Sequence, residues 1–556
     1  MLKEWYPSHM QELKGHHPKE WFPFFKSNQE ALKQMSQNVL GLRDEQLLFG
    51  WYHGHNLLCV CDTDIINQTL VIKNVLVVSP KFHWQDFFEM LLHAGKSRRL
   101  DHIFIPIIKD PIFSAKPLFD LGFKKEKTSQ GEGYSYSLEY HTGIVLGGGG
   151  AKGAYQIGAW EALREIGIDY RVVTGTSVGA LNGAFFVQGD IENAKIMWED
   201  IDTSKILAIP TDEEETNREH LISGVKSLTL SALKENGVDT TPLLDMITKL
   251  IDPEKLEQTD KDFFFITTQA PKMEEIVVSL KETPANMLNR WLLASSSFYP
   301  AMSACEIDGH YYVDGGYRNN IPRDVALKQN VSELIVINVK GPGFLKPTRV
   351  PKTVVETDIE TRWGLGPVLL FDKDRSAWNI KQGYFDTMKA FYKLQGTWYT
   401  FSNEHFKKNS LALSKEFLHF IQTDPNLKSV GRKVTWKWLE QKQIAPETLG
   451  VYLLEETAKL LDVDPTRLFT FDELSKEVIT LFDKTHVTPD ESMLLSVGEM
   501  LSGYMKQVTP LSEMKLLEMA YHLCESHADN LAHVFDVTWK TMLQAMFIIF
   551  LKEKKQ

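Results

Sequence analysis

Of the 556 residues of the chain, 43% are hydrophobic and 24% are charged, which is the composition of a globular protein. The chain is too long for one hydrophobic core, so more than one domain is expected. A formal net charge of −12 argues against nucleic-acid binding and gives no overall attraction to anionic membranes. Residues 1–19 lack the apolar core of a signal peptide, and no run approaches the ~18 apolar residues of a membrane span. We therefore expect a cytoplasmic location, with peripheral membrane contact as the remaining alternative.

The first 140 residues show an α+β pattern. Strands are predicted at 46–52, 56–61, 69–78, 102–108 and 134–138, with a helix over 84–94. The stretch AKPLFDLGF at 115–123 resembles the C-terminal half of the GNAT-type acetyltransferases. Those enzymes bind the pyrophosphate of acetyl-CoA on a glycine-containing loop, whereas the corresponding loop 79–85 has no glycine, and bulky side chains there would block close approach of the backbone. The resemblance implies a GNAT-like domain over 1–140, which we expect to be non-catalytic.

The cysteines are few and scattered, at Cys59, Cys61, Cys305 and Cys524. Cys59 and Cys61 alternate along a predicted strand and share one face, too close in sequence for the usual C-x₂-C zinc site. They are typical of reduced core residues, so we expect no metal and no cofactor.

A run of glycines follows the next predicted strand. Strand 143–146 leads into GGGGAKG at 147–153, and a helix is predicted over 154–165. Unshielded backbone N–H groups before a helix bind anions. Because Lys152 is followed by Gly153 rather than Ser or Thr, a nucleotide P-loop is disfavoured, and the acid that a dinucleotide fingerprint needs at the end of the next strand is missing. The oxyanion of an acyl-transfer intermediate fits best, and a flexible turn is the remaining alternative.

The pentapeptide GTSVG at 175–179 lies between a predicted strand, 170–174, and a predicted helix, 180–188. In this setting G-x-S-x-G is a nucleophile elbow, a sharp turn that exposes a serine hydroxyl between small neighbours. The motif alone is weak, since Gly and Ser also fill ordinary turns. With the glycine run upstream it predicts Ser177 as a nucleophile, flanked by Gly175 and Gly179.

A hairpin is predicted over 305–313, with Asp308-Gly309 as its tight turn. The return strand ends in Asp314-Gly315-Gly316. A carboxylate at that position can point toward a neighbouring site, and an Asx-turn is the alternative.

The three motifs together, GGGAKG at 148–153, GTSVG at 175–179 and DGG at 314–316, resemble the signatures of the patatin-like phospholipases. The resemblance implies a three-layer α/β/α domain over 141–394. It also implies a Ser177–Asp314 dyad without histidine, in which Asp314 accepts the serine proton and Ser177 forms an acyl-enzyme. The glycine loop would form the oxyanion hole, with residues Gly148, Gly149, Gly150, Lys152 and Gly153. For Lys152, support of that loop or contact with a lipid phosphate competes with a solvated surface position.

A histidine base is the alternative that a serine hydrolase of the α/β type would require after Asp314. The chain has 17 histidines, but none after Asp314 lies in a recognisable catalytic setting. His405, His419 and His486 fall in polar or helical segments and are predicted to be solvated.

Residues 395–556 are predicted to form a helical domain that covers or gates the active site. Capping boxes begin at Thr470 and Thr488, and apolar residues recur at helical spacing over 449–461, 474–482 and 493–505. The apolar run 545–551 predicts a buried final helix.

Two functions remain. The first is a carboxylic ester hydrolase that cleaves lipid acyl esters, as a phospholipase A, a lysophospholipase or a lipase would. The second is a catalytically quiet lipid- or acyl-CoA-binding regulator on the same fold. All three motifs are intact, which favours the enzyme. We expect its substrate to be a lipid or another acyl ester, and we expect no binding of nucleic acid.

Overall fold

A computed structural model describes residues 2–4, 22–23, 46–54, 56–79, 81–107, 115–203, 206, 238–485, 513–526 and 531–555. The chain divides into two compact units. One comprises Met1–Leu91, Leu100–Ser137 and Leu394–Gln556, and the other comprises Leu92–Arg99 and Leu138–Lys393. The second unit carries all three sequence motifs.

The N-terminal part has the predicted α+β architecture. Its strands are β1 (Leu2–Glu4), β2 (Phe22–Pro23), β3 (Gln46–His53), β4 (Asn56–Ile66), β5 (Thr69–Val77), β6 (His102–Pro106), β7 (Lys124–Thr128) and β8 (Gly131–Ser137). Its helices are α1 (Trp84–Lys96) and α2 (Lys116–Asp120). The strand order is β1-β3-β4-β5-β6-β8-β7, with β2 on β5, and β5 runs parallel to β6. Strand β7 was not predicted, because its sequence KKEKT is exposed and does not alternate between apolar and polar residues.

The predicted core position of Cys59 and Cys61 is confirmed. Cys59 and Cys61 are free and fully buried on β4, and burial raises the pKa of both thiols. In loop 79–85, which has no glycine, Phe82 packs edge-on against Trp84 with ring centroids 5.0 Å apart. Aromatic side chains therefore occupy the region before α1.

The second unit is built on a mixed sheet. Its strands are β9 (Thr142–Leu146), β10 (Val172–Thr176), β11 (Asp262–Ala270), β12 (Glu274–Ser279), β13 (Cys305–Ile307), β14 (His310–Asp314), β15 (Glu333–Ile337) and β16 (Val355–Ile359). Its helices are α3 (Ala154–Ile166), α4 (Val178–Gln188), α5 (Ile191–Asp200), α6 (Thr241–Leu250), α7 (Pro253–Glu257), α8 (Ala285–Ser296), α9 (Arg323–Leu327) and α10 (Lys373–Ala390). The strand order is β13-β14-β11-β10-β9-β15-β16, with β12 on β11.

The predicted three-layer α/β/α arrangement is confirmed. Strands β9, β10, β11, β15 and β16 run parallel, as expected for a sheet covered on both faces. Along β9, Ile144 and Leu146 join the larger core with α3, α4 and α8, whereas Val145 packs on the opposite face with Ala326 of α9. The alternation follows from the two-residue period of a strand.

The elements around the serine extend closer to it than predicted. Strand β10 continues to Thr176, and α4 begins at Val178, so a single residue separates them. The two glycines of the motif lie outside the predicted strand and helix, because glycine disfavours both. In the fold Gly175 pairs with Phe265 of β11, because a strand requires backbone hydrogen bonds rather than a side chain.

The C-terminal part is helical with one small sheet. Its helices are α11 (Phe406–Thr423), α12 (Lys428–Lys433), α13 (Trp436–Gln441), α14 (Leu449–Leu460), α15 (Phe471–Thr485), α16 (Glu513–Glu525) and α17 (Leu531–Lys555). Its strands are β17 (Leu394–Gln395), β18 (Thr400–Ser402) and β19 (Leu468–Phe469). In the part of this region that the structure describes, no helix combines the length and apolar character of a membrane span.

The helical segments predicted over 449–461 and 474–482 correspond to α14 and α15, and three further C-terminal predictions can be checked. The box at Thr470 is confirmed, since Glu473 N–H donates to Thr470 Oγ1 at 3.1 Å and Thr470 N–H donates to Glu473 Oε2 at 2.8 Å. The apolar run 545–551 lies within α17 and is largely buried, as predicted. His405 and His419 are exposed. The box at 488–491, the helix over 493–505 and His486 lie outside the described residues.

Candidate active site

Ser177 stands alone at the turn between β10 and α4, in a backbone conformation that few residues adopt. Its φ is 56° and its ψ is −125°, a sparsely populated region that marks a nucleophile elbow. A Cβ on Gly175 would lie 2.2 Å from the carbonyl oxygen of Gly179, and one on Gly179 would lie 2.3 Å from that of Leu146. Both glycines are therefore required by the close approach of the backbone on either side of the serine.

Polar contacts hold this turn in place. The N–H of Ser177 donates to Ser295 Oγ at 3.0 Å, and that hydroxyl donates to the carbonyl oxygen of Ile266 on β11 at 2.6 Å. On the other side, Thr176 Oγ1 donates to the carbonyl oxygen of Asn319 at 2.8 Å. The elbow is thus tied both to the neighbouring strand and to the segment that follows the Asp-Gly-Gly motif.

Asp314 lies beside the serine. It ends β14, which pairs with β11 so that Asp314 is opposite Thr267. Its carboxylate accepts a hydrogen bond from the N–H of Gly316 at 2.6 Å, and both Asp314 and Ser177 line the same cavity. The bond from Gly316 is an Asx-turn, so an aspartate in an Asx-turn can also face a neighbouring site. A Cβ on Gly315 would lie 2.2 Å from the carbonyl oxygen of Ile266, which explains the first glycine of the motif.

The carboxylate is almost fully enclosed, because Asp314 is only 4% exposed. Burial raises the pKa of Asp314 to about 6, and the nearby Ser177 side chain and the N–H of Gly316 limit the rise. A carboxylate with that pKa is a better proton acceptor than a solvated one and is still mostly ionised at neutral pH. Among the described residues that line the cavity around it, none is a histidine.

The glycine loop presents backbone donors to the same cavity. The N–H of Gly148 is already used, donating to the carbonyl oxygen of Asn320 at 3.1 Å, and the N–H of Ala151 donates to that of Val368 at 2.7 Å. Within the described part of the chain, the N–H groups of Gly149 and Gly150 have no such acceptor, and both residues line the cavity. These two are the available donors of the loop.

Gly148 does not offer a free donor, but its lack of a side chain lets the loop backbone lie close to Ser177 and Asn320. A Cβ there would lie 2.4 Å from the side-chain oxygen of Asn320 and 3.3 Å from Cβ of Ser177. Lys152 reaches away along the loop, where its Nζ donates to the carbonyl oxygen of Lys340 at 3.0 Å, and burial lowers its pKa. Of the interpretations left open for Lys152, this contact favours support of the loop.

A buried amide network behind the loop was not found from the sequence. Asn182 donates to the carbonyl oxygen of Gly153 at 2.9 Å and to Oε1 of Gln156 at 2.8 Å, and it accepts the indole N–H of Trp198 at 3.1 Å. Gln156 in turn donates to the carbonyl oxygen of Gly147 at 2.8 Å. The signal was a lone asparagine inside the apolar stretch 180–187, since a polar residue in such a helix must find partners.

The cavity that contains these groups has a volume of about 350 Å³. Apart from Ser177, Asp314 and the glycine loop, much of its wall is apolar, formed by side chains that include Leu181, Met197, Trp198, Leu243, Met246 and Phe371. Such a wall suits a hydrocarbon chain better than a polar ligand. Among the described residues, no group of three or more His, Cys, Asp or Glu could hold a metal ion.

Comparison with known proteins bears on the same segment. Residues 144–327 match the family model described as patatin-like phospholipase. These residues form a patatin-like domain. Patatin-like phospholipase domain-containing protein 7 of Rattus norvegicus is 31% identical over 199 residues, and the neuropathy target esterase sws of Drosophila melanogaster is 29% identical over 200 residues. Each alignment covers 35% of this chain but only 13% of the relative.

Two solved structures were also matched across larger parts of one chain or the other. VipD from Legionella pneumophila has 13% identity and a TM-score of 0.32, covering 77% of this chain and 94% of that one. The ribosomal-protein-S18-alanine N-acetyltransferase of Escherichia coli has 12% identity and a TM-score of 0.20, covering 25% of this chain and 94% of that one.

Proposed function

We propose that this protein is a serine acyl hydrolase that cleaves lipid acyl esters with Ser177 and Asp314 as a catalytic dyad. The observation that carries the proposal is the placement of the strained Ser177 and the buried carboxylate of Asp314 in the wall of one cavity. A strained serine, an adjacent base and unused backbone donors in one cavity are the parts that acyl transfer requires.

In the first half-reaction, Asp314 takes the hydroxyl proton while Ser177 Oγ attacks the ester carbonyl carbon. The carbonyl oxygen becomes an oxyanion, for which the N–H groups of Gly149 and Gly150 are the proposed donors, at the N-terminal end of α3. Collapse of this intermediate breaks the ester bond, and the departing alcohol receives the proton from Asp314. The products are the free alcohol and an acyl-serine.

In the second half-reaction, Asp314 takes a proton from a water molecule, which attacks the acyl-serine. The oxyanion forms again at the same donors, and its collapse returns the proton to Ser177 and releases the carboxylic acid. Loss of a single oxyanion donor typically lowers kcat by about 10²–10³. The positions of Gly149 and Gly150 therefore account for a large part of the expected rate.

The largely apolar wall of the cavity supports a fatty acyl group as the part of the substrate that enters. The curated relatives are called phospholipase and esterase, which supports the same class for this chain. We propose phospholipase A, lysophospholipase or lipase-like chemistry at a lipid surface that the protein contacts peripherally from the cytoplasm. Under this proposal the hydrolase domain spans 141–394, between a non-catalytic domain over 1–140 and a helical domain over 395–556.

A serine-directed fluorophosphonate probe tests the proposal on the full chain. Wild type should be labelled, Ser177→Ala should not, and Ser429→Ala, at an exposed serine of α12, serves as the control that should be labelled like wild type. Asp314→Asn should lose turnover of a fatty acyl ester while it keeps its fold. Wild type that is folded but neither labelled nor active would instead support a catalytically quiet lipid- or acyl-CoA-binding regulator.

A further inference from the structure

The cavity reaches the protein surface at a loop with exposed apolar side chains, residues 341–346, called here the mouth loop. Phe344 lines the cavity and is 53% exposed, and Leu345 beside it is 59% exposed. A single exposed apolar residue needs no explanation, but adjacent ones at the opening of a cavity mark an interaction site.

The mouth loop is anchored on both sides of Leu345. The N–H of Phe344 donates to the carbonyl oxygen of Gly316 at 2.7 Å, and the carbonyl oxygen of Phe344 accepts the N–H of Asn320 at 2.8 Å. These bonds attach the loop to the segment that follows Asp314. They hold Phe344 in a backbone position in which its ring stays partly in solvent.

The other anchor is Lys346. Its Nζ lies 2.7 Å from a carboxylate oxygen of Asp324 and 2.9 Å from one of Glu275. Leu345 therefore lies between two residues that are bonded to the rest of the domain, while its own side chain is 59% exposed.

A second element adds apolar surface at the same opening. Tyr299 is 40% exposed, and its carbonyl oxygen accepts a hydrogen bond from the hydroxyl of Tyr317, which lines the cavity. The residue before it, Phe298, also lines the cavity. Aromatic and aliphatic side chains thus surround the opening from two separate segments of the chain.

The charge of this region contrasts with that of the whole chain. Between residues 339 and 355 the sequence contains Lys340, Lys346, Arg349 and Lys352 and no carboxylate, although the chain carries a formal net charge of −12. Lys346 is neutralised by its two carboxylates, and Lys340 pairs with Glu360 at 3.4 Å, while Arg349 lies exposed further along. Apolar tips with basic residues nearby are the composition of a surface that contacts lipid headgroups and acyl chains.

We propose that the mouth loop docks on a lipid bilayer, with Leu345 and Phe344 inserted at the level of the upper acyl chains and the exposed Arg349 near anionic headgroups. A bilayer fits this surface better than a protein partner does, because the proposed substrate resides in a bilayer and this opening leads to Ser177. The inference rests on the proposed function for its choice of occupant. The docking itself can be measured without any turnover.

The experiment uses the full chain carrying Ser177→Ala and vesicles made of equal parts of phosphatidylcholine and phosphatidylserine, with binding measured by cosedimentation. Adding Leu345→Asp should weaken binding by about tenfold or more, since it replaces an inserted apolar side chain with a charge. Leu345→Phe should retain binding. The matched control is Leu468→Asp in β19, a leucine that is 49% exposed, and it should leave binding unchanged. Because Leu345 is exposed, its variants should melt at the wild-type temperature.

A second readout separates docking from catalysis. In protein with Ser177 intact, Leu345→Asp should lower hydrolysis of vesicle lipid and leave hydrolysis of a short, water-soluble ester unchanged, because Leu345 does not line the cavity. If vesicle binding depends on Leu345 but the protein with Ser177 intact is not labelled by the fluorophosphonate, the docking surface is upheld and the proposed hydrolase activity is refuted. Equal vesicle binding by Leu345→Asp and its parent would overturn the docking proposal. A shift from dimer to monomer in that variant, with vesicle binding unchanged, would assign the surface to a second copy of the chain.

Discussion

The side chain of Asn182 donates a hydrogen bond to Gln156 over 2.8 Å, and both residues are completely buried. Asn182 belongs to the helix that begins directly after Ser177, and Gln156 belongs to the helix that follows the glycine loop. Gln156 also donates to the carbonyl oxygen of Gly147, the first residue of that loop. The spacing between the proposed nucleophile and the proposed oxyanion donors is therefore set by two buried amides.

Replacement of Asn182 tests this spacing. Asn182→Leu leaves the indole N–H of Trp198, the carbonyl oxygen of Gly153 and the amide of Gln156 without their partner, and each unsatisfied buried group costs about 1–3 kcal/mol. We expect a loss of unfolding free energy of about 3 kcal/mol or more in urea and slower fluorophosphonate labelling under conditions where the variant remains folded. Asn193→Ala, an exposed asparagine, should change both by little. A labelling rate equal to wild type would show that the network does not position the serine.

The pKa of Asp314 predicts the pH dependence of the reaction. Asp314 must be ionised to accept the serine proton, and burial raises its pKa to about 6. For a neutral ester, kcat/KM should rise with pH through an apparent pKa of about 6, falling about tenfold for each pH unit below it, and level off above pH 7. Asp314→Asn should abolish this limb together with most of the activity. A profile that is flat from about pH 4 to 8 would contradict the assignment of Asp314 as the base.

The same residue should lower the stability of the fold. A native pKa of about 6, against an ordinary value of 3.8, means that the folded protein holds the proton of Asp314 more tightly than the unfolded chain does. This contribution to stability is fully present below pH 3.8 and is lost as the pH rises through 6, on the order of 3 kcal/mol in total.

Asp314→Asn stays neutral at every pH, so the variant should melt several degrees above wild type at pH 8 and close to it near pH 4. Differential scanning calorimetry at the two pH values measures this. A variant that melts below wild type at pH 8 would show that the lost hydrogen bonds outweigh the relief of the buried charge.

The glycine loop can be tested by adding a single methyl group. Gly150 has a φ of 55°, and a Cβ there would lie 2.2 Å from the carbonyl oxygen of Val368, so Gly150→Ala must displace the loop. We expect activity to fall by about 10²-fold or more because the oxyanion donors shift. Gly364→Ala is the matched control, since a Cβ at that position meets nothing within 4 Å. Equal activity of the two variants would exclude a precise role for the loop.

Much of the fold was predictable because its signals are local. Strand β9, helix α3 and the hairpin of β13 and β14 lie within a residue or two of their predicted bounds, and the hairpin turn has positive φ at both Asp308 and Gly309, as a primed turn requires. Strands β7, β11, β12 and β16 and the tips of β10 and α4 were not predicted. The sequences of β7 and of the tip of β10 look polar or glycine-rich, and only pairing with neighbouring strands makes them regular.

What the sequence determined by itself is the inventory of reacting groups. The Gly-x-Ser-x-Gly turn, the glycine run and the Asp-Gly-Gly motif each need particular residues for reasons of backbone geometry, so they can be read in order along the chain. Tertiary structure decided what those groups can do. Burial by distant segments raises the pKa of Asp314. The carbonyl oxygen of Asn320 accepts the N–H of Gly148, so the N–H groups of Gly149 and Gly150 are the loop donors that are available to a substrate. Solvation and hydrogen-bond partners depend on contacts between residues far apart in the chain, which no local pattern encodes.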